Sequence, residues 1–126
     1  GLANAVVMPI VLESYGSSIH KKMHDIAIAA DVSSQDDSDE DACNKMIQSI
    51  RKLNQEMNIP SHITEIRTED IPKLAHHASK EANSLYPVPV IYDDDKLAAL
   101  YKLVKGEIEY GTNENMQYAK RVFFKW

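Results

Sequence analysis

Apolar positions fall at helical spacing along most of the chain. In residues 18–30, Ile19, Met23, Ile26, Ala27 and Ala30 recur at intervals that place them on one face of a helix. From residue 38 a second such helix carries Ala42, Met46, Ile47, Ile50, Leu53 and Met57 on one face. Ser38 reads as its N-cap, with Asp39, Glu40 and Asp41 suited to the positive end of the helix dipole. Asn58-Ile59-Pro60 closes it, because the residue before a proline is pushed away from helical geometry. A third set, Ile71, Leu74, Ala75, Ala78, Ala82 and Leu85, follows Asp70 as cap and Pro72 in the first turn. A fourth starts at Asp93, turns Leu97, Leu100, Tyr101 and Val104 inward, and stops at Gly106.

The opening stretch differs. Residues 2–15 predict a helix apolar almost all the way round, interrupted by Asn4 and Pro9 and stopped by Gly16. Such a helix is normally covered on most sides. Residues 31–41 read as an acidic, solvated linker, 61–67 as a connector, and Tyr86-Pro87-Val88-Pro89 as extended chain. Strand is limited to short scraps at 88–92 and 121–124, and βαβ alternation is absent. The pattern predicts an all-α bundle.

The tail from Glu107 has two readings. Met116, Ala119, Val122, Phe123 and Trp126 fit one helical face capped by Asn113, which suits a helix folded back on the bundle. Lys120, Arg121 and Lys125 among those aromatics suit a membrane-surface or partner-binding helix instead.

Composition narrows the function classes. The 126 residues allow one modest core, and 44% apolar with 26% charged residues is ordinary for a globular domain. A net charge of −5 argues against a nucleic-acid binder. A single cysteine, Cys43, rules out an internal disulfide and favours a cytoplasmic origin. The apolar run 2–12 lacks the basic flank and cleavage site of a signal peptide and is too short to span a bilayer, so a soluble protein is expected.

Few residues suggest chemistry. His20 and His24, four apart on a helix, have the spacing of a two-histidine metal site but lack the Glu of an HExxH motif. They read as exposed residues opposite Met23 and Ile26. His76 and His77 are adjacent, about 100° apart on a helix, and cannot readily share a metal. His62 reads as a surface residue. Cys43 lies in a first helical turn whose dipole favours a thiolate, whereas the neighbouring acids oppose it. The acidic residues Asp36, Asp37, Asp39, Glu40 and Asp41 lack the glycine of a calcium-binding loop. Glycines at 1, 16, 106 and 111 form no phosphate-binding loop. No residue of the chain is assigned as catalytic, cofactor-binding or metal-ligating.

Four segments carry a resemblance. Gly1-Leu2-Ala3-Asn4-Ala5, with Pro9 following, resembles the GxxNAxxxP segment of the iron-containing alcohol dehydrogenases. Asn58-Ile59-Pro60, followed by Glu69-Asp70-Ile71-Pro72-Lys73-Leu74-Ala75, is similar to that family's GIPxxL and EDIPxLAxxA stretch. Glu81-Ala82-Asn83 with the downstream Pro87 looks like its DACxxxNPR region, and the helix from Asp93 resembles its closing EDIxxLY element. The order is the family's, and the second segment is the most specific.

The resemblance implies an all-α helical bundle like the C-terminal domain of the dehydroquinate synthase-like and iron-containing alcohol dehydrogenases. It places that domain at 1–106 and an extension, expected to be a packed helix, at 107–126. In that family a dinucleotide-binding α/β domain precedes the helical one. Iron or another divalent metal sits between them, and a hydride passes between NAD(P) and a small alcohol or aldehyde. The metal's ligands, one Asp and three His, lie upstream of the segment matched by Gly1, so none maps onto this chain. Gly1, Leu2 and Asn4 would border the metal cleft, and Ala82 and Asn83 would line the substrate pocket. Family members often carry Cys where Asn83 or Ala82 stands here, and the connector before Asp70 is shorter and lacks the family's glycine.

The expected partners are the N-terminal nucleotide-binding domain and the small substrate, with no membrane or nucleic acid. The chain alone is expected to be inactive, to hold no cofactor, and to self-associate through its exposed apolar opening. The alternative is a non-enzymatic helical interaction module.

Overall fold

The computed structural model describes the backbone of residues 1–85 and 89–109, and the side chains of 1–81 and 89–109. The described residues form five α-helices and no strand: α1 Leu2–Tyr15, α2 His20–Ala29, α3 Asp39–Glu56, α4 Ile71–Leu85 and α5 Asp94–Lys105. Short 3-10 turns at Gly16–Ile19 and Thr68–Asp70 lead into α2 and α4. The all-α expectation holds. Of the expected strand scraps, 89–92 contains none, and 88 and 121–124 lie outside the described residues. The 110–126 part of the tail lies outside them as well.

Local chemistry sets the helix ends. Ser38 accepts a hydrogen bond from the Asp41 amide at 3.1 Å, and Asp93 accepts one from the Lys96 amide at 2.9 Å. Each satisfies an amide that the first turn leaves without an intrahelical partner. Three C-termini close in the same way. The residue past the last turn takes positive φ, its N–H returns to one carbonyl, and the next N–H returns to the carbonyl before that. Asp31 and Val32 do this for α2, Asn58 and Ile59 for α3, and Gly106 and Glu107 for α5. Two of the three left-handed positions hold Asp or Asn, the side chains that tolerate that region best after glycine.

Gly16 departs from the left-handed cap expected of it. Its φ of 60° comes with ψ of −137°, a combination open essentially to glycine. The run Leu2–Ala29 is long and apolar enough to cross a membrane by length and composition. Gly16 breaks it into two limbs. The longer, α1, rises about 21 Å at about 1.5 Å per residue, short of the hydrocarbon core of about 30 Å.

The chain divides into two compact units, Gly1–Ser61 and His62–Trp126. In the first, α2 and α3 form a helical hairpin on which α1 also packs. Ile19, Met23, Cys43 and Ile47 make its core, flanked by Leu12, Tyr15 and Met46. Ala27 and Ala42 are completely buried, so small side chains fill the tightest positions. In the second unit α4 packs on α5, burying Ile71 and Ala75 of one helix and Leu97, Ala99, Leu103 and Val104 of the other. The Ile63 amide donates to the Val104 carbonyl at 2.8 Å and ties the connector to the end of α5.

Several predicted inward positions face out. Ile26 and Ala30 of the second segment are exposed, and Leu53 and Met57 of α3 are 55% and 60% exposed. Leu74 is exposed while Ile71 and Ala75 are buried. On α5, Ala99 and Leu103 are buried more deeply than Leu100 and Tyr101. Periodicity defines a face, but the covering helix reaches only part of it.

Candidate functional site

The helix α1 begins at Leu2, with Gly1 before it. Gly1 caps it without a side chain, and its carbonyl accepts the Ala5 amide at 3.2 Å. Gly1, Leu2, Ala3 and Asn4 are all exposed. Leu2 is 61% and Met8 48% exposed, so this mostly apolar helix keeps some apolar side chains open to solvent. Val6 and Pro9 are buried.

Pro9 has no N–H, so the Ala5 carbonyl, four residues earlier, lacks the donor that a helix normally supplies. Asn54 of α3 fills the gap: its Nδ2 donates to the Ala5 carbonyl at 2.8 Å. The Arg51 guanidinium holds both carboxylate oxygens of Glu13, at 2.7 and 3.3 Å, further along α1. That pair is half-buried and fixes direction more than it stabilises. Sequence periodicity alone signals neither contact. Proline inside a helix is the only local hint that a donor must come from elsewhere.

The histidine pair of α2 does not form a metal site. His20 is half-buried and His24 buried, correcting their reading as exposed, and both His24 ring nitrogens are engaged. Nδ1 lies 2.8 Å from Asp39 Oδ1, and Nε2 lies 2.8 Å from the Ser34 carbonyl. Neither nitrogen is open to a metal shared with His20. The expected solvated linker is also organised. Asp37 Oδ2 accepts from Ser33 Oγ at 2.6 Å, the Ser34 amide at 3.1 Å and Lys45 Nζ at 2.9 Å. Those bonds, the Ser33 hydroxyl first, hold its carboxyl far below the usual carboxylate range. Cys43 is buried, which pushes its thiol pKa up; as the fifth residue of α3 it lies just past the first turn expected of it.

In the second unit His76 Nδ1 pairs with Asp94 Oδ2 at 2.9 Å, and that bond is the main cause holding the Asp94 carboxyl below its ordinary range. Both side chains are more than half exposed, so the pair contributes little to stability. His77 meets His76 edge to face, with ring centroids 6.5 Å apart. His62 is half-buried, not the surface residue expected. Its ring faces Gly106, where an added Cβ would come within 3.1 Å of His62 Cγ. Ala82 and Asn83 belong to the last turns of α4, and their side chains lie outside the described residues. Among the described residues, no three His, Cys, Asp or Glu side chains are grouped to hold a metal ion.

The family model described as "Fe-containing alcohol dehydrogenase family, C-terminal" matches residues 1–105. The chain is similar to the lactaldehyde reductases of Escherichia coli strain K12 and Escherichia coli O157:H7. It is 35% identical to each over 80 residues, covering 62% of this chain and 21% of the relative. The chain thus spans about a fifth of the length of the curated relatives it matches. No solved structure is significantly similar to it.

Proposed function

Because this chain belongs to the Fe-containing alcohol dehydrogenase family, matching its C-terminal domain over residues 1–105, we propose that it forms the helical wall of an oxidoreductase cleft. The reaction would be NAD(P)-dependent interconversion of a small alcohol and its aldehyde. The lactaldehyde reductases make a short hydroxyaldehyde the first substrate to try. One observation carries this reading: the family match includes α1, and that helix leaves the apolar Leu2 and Met8 exposed. An apolar helix anchored by Asn54 is suited to face a second domain and keep water from a reacting centre.

In this proposal Gly1, Leu2 and Asn4 border the metal side of the cleft, and Ala82 and Asn83 line the substrate side. The partner is an N-terminal nucleotide-binding domain. Residues 1–106 act as the family domain, with 107–126 as an extension. The described residues offer no ligand set for iron or another divalent metal, so no chemical step is assigned to this chain through such an ion. Its contribution is shape and exclusion of water. The same uncovered α1 face would make the 126-residue chain self-associate in isolation, since large apolar patches rarely stay open to water.

The test uses the full-length protein that contains this chain, assayed for lactaldehyde reduction with NADH and with NADPH. Leu2→Glu, at an exposed site, is expected to leave the helix content of the 126-residue chain unchanged. In the full-length protein it should lower kcat/KM by about tenfold or more, the effect of about 1.4 kcal/mol on the transition state. The 126-residue chain by itself should show no turnover. Undiminished activity of the full-length variant, or turnover by the chain alone, would overturn the reading.

A further inference from the structure

We propose that His24 is a proton-operated latch: as an imidazolium it pins the 31–38 connector and the first turn of α3 to α2, and on losing its proton it releases one of them. The geometry requires two donors from one ring. Asp39 Oδ1 and the Ser34 carbonyl are acceptors only, each 2.8 Å from a different ring nitrogen. A neutral imidazole carries one N–H and can satisfy only one of them. The ring is buried in the hairpin, so the nitrogen that loses its partner is poorly placed to find water.

The charged groups acting on the ring favour the proton. Asp39 heads α3, and Asp25 neighbours the ring on α2 itself. On the connector, Asp37 is occupied by Lys45 from α3, so that lysine's charge is already paired. His20, one turn earlier on α2, is half-buried. The hydrogen bond to Ser34 raises the His24 pKa most, followed by that to Asp39, against the opposing effect of burial; the result lies above the ordinary 6.5. The sign follows. A group whose pKa is raised by folding gives its full stabilisation below the unfolded value and loses it as pH rises through the folded value. The latch is therefore closed in mild acid and opens on the alkaline side of 6.5.

The connector holds a second, pH-indifferent clasp in this range. Asp37, with its strongly lowered pKa, stays ionised and keeps Ser33, Ser34 and Lys45 together. The one N–H of the neutral ring stays with the stronger acceptor, the Asp39 carboxylate, so it is the Ser34 carbonyl that is released. Opening the His24 latch should thus loosen the connector against α2 without unfolding the turn itself.

Nitrogen-15 NMR of the imidazoles in the full 126-residue chain, titrated between about pH 5 and pH 9, reads the proton directly. The expected result is a His24 ring protonated on both nitrogens in mild acid, with a midpoint above 6.5. Amide exchange at 31–38, corrected for its intrinsic pH dependence, should rise by about tenfold across that midpoint, the effect of losing roughly one hydrogen bond. Asp39→Asn should lower the midpoint while leaving the helix content unchanged. His24→Gln should remove the step in exchange, and if that variant does not fold, Asp39→Asn alone decides. A midpoint at or below 6.5, a midpoint indifferent to Asp39→Asn, or exchange that passes through the midpoint without a step would each overturn the proposal.

Discussion

Asn54→Ala should lower the stability of the chain by about 1–3 kcal/mol, the cost of leaving a shielded carbonyl without its donor. The carbonyl is that of Ala5, deprived of its helical partner by Pro9 and supplied instead by Asn54 Nδ2. The pairing makes a sharper expectation. In a Pro9→Ala background residue 9 regains an N–H, so the same Asn54→Ala change should cost less, by about 1 kcal/mol. Asn54→Asp should be worse than Asn54→Ala, because a carboxylate oxygen would replace the donor beside the carbonyl. Urea unfolding of the four members of the cycle measures the coupling. A coupling near zero would mean that Asn54 and Pro9 act independently and that this account of the proline-bearing helix is wrong.

The second large effect lies in the other unit. Ile71→Ala should cost about 2–5 kcal/mol, a substantial part of the roughly 5–15 kcal/mol that holds a domain together. Ile71 is only 1% exposed at the head of α4, with Ala75 buried one turn on against α5. Leu74→Ala is the control. It shares the predicted apolar face but stands 37% exposed, and it should cost about 1 kcal/mol or less. The denaturant midpoint should fall far more for Ile71→Ala than for Leu74→Ala. Equal losses would contradict the packing described for α4.

That contrast shows where the sequence is legible. Helix limits rest on short-range chemistry: Ser38 and Asp93 at two starts, Gly106 at one end, all readable within a few residues. Depth is long-range. Ile26, Leu53 and Met57 have helical spacing, yet they stand about half exposed or more. His24 shows the converse, a polar residue buried because Asp39 and the Ser34 carbonyl come round the connector to meet it. No local pattern announces that meeting. The candidate site divides in the same way. Gly1, Leu2 and Asn4 are singled out by a family motif and stand exposed, whereas nothing in their spacing says what they face. Asn54, the residue that anchors their helix, belongs to no motif, and only the missing proline N–H points toward it.

Cys43, the chain's single thiol, lies in the first unit's core with a pKa raised by burial. A thiol so shielded reacts with a disulfide reagent only while the hairpin is open, since thiolate and access are both needed. Its modification rate is therefore a clock built into the α2–α3 hairpin. Where reclosing is fast it reports the open population, and where reagent is abundant it reports the opening rate. No label has to be engineered, and no second cysteine confuses the signal.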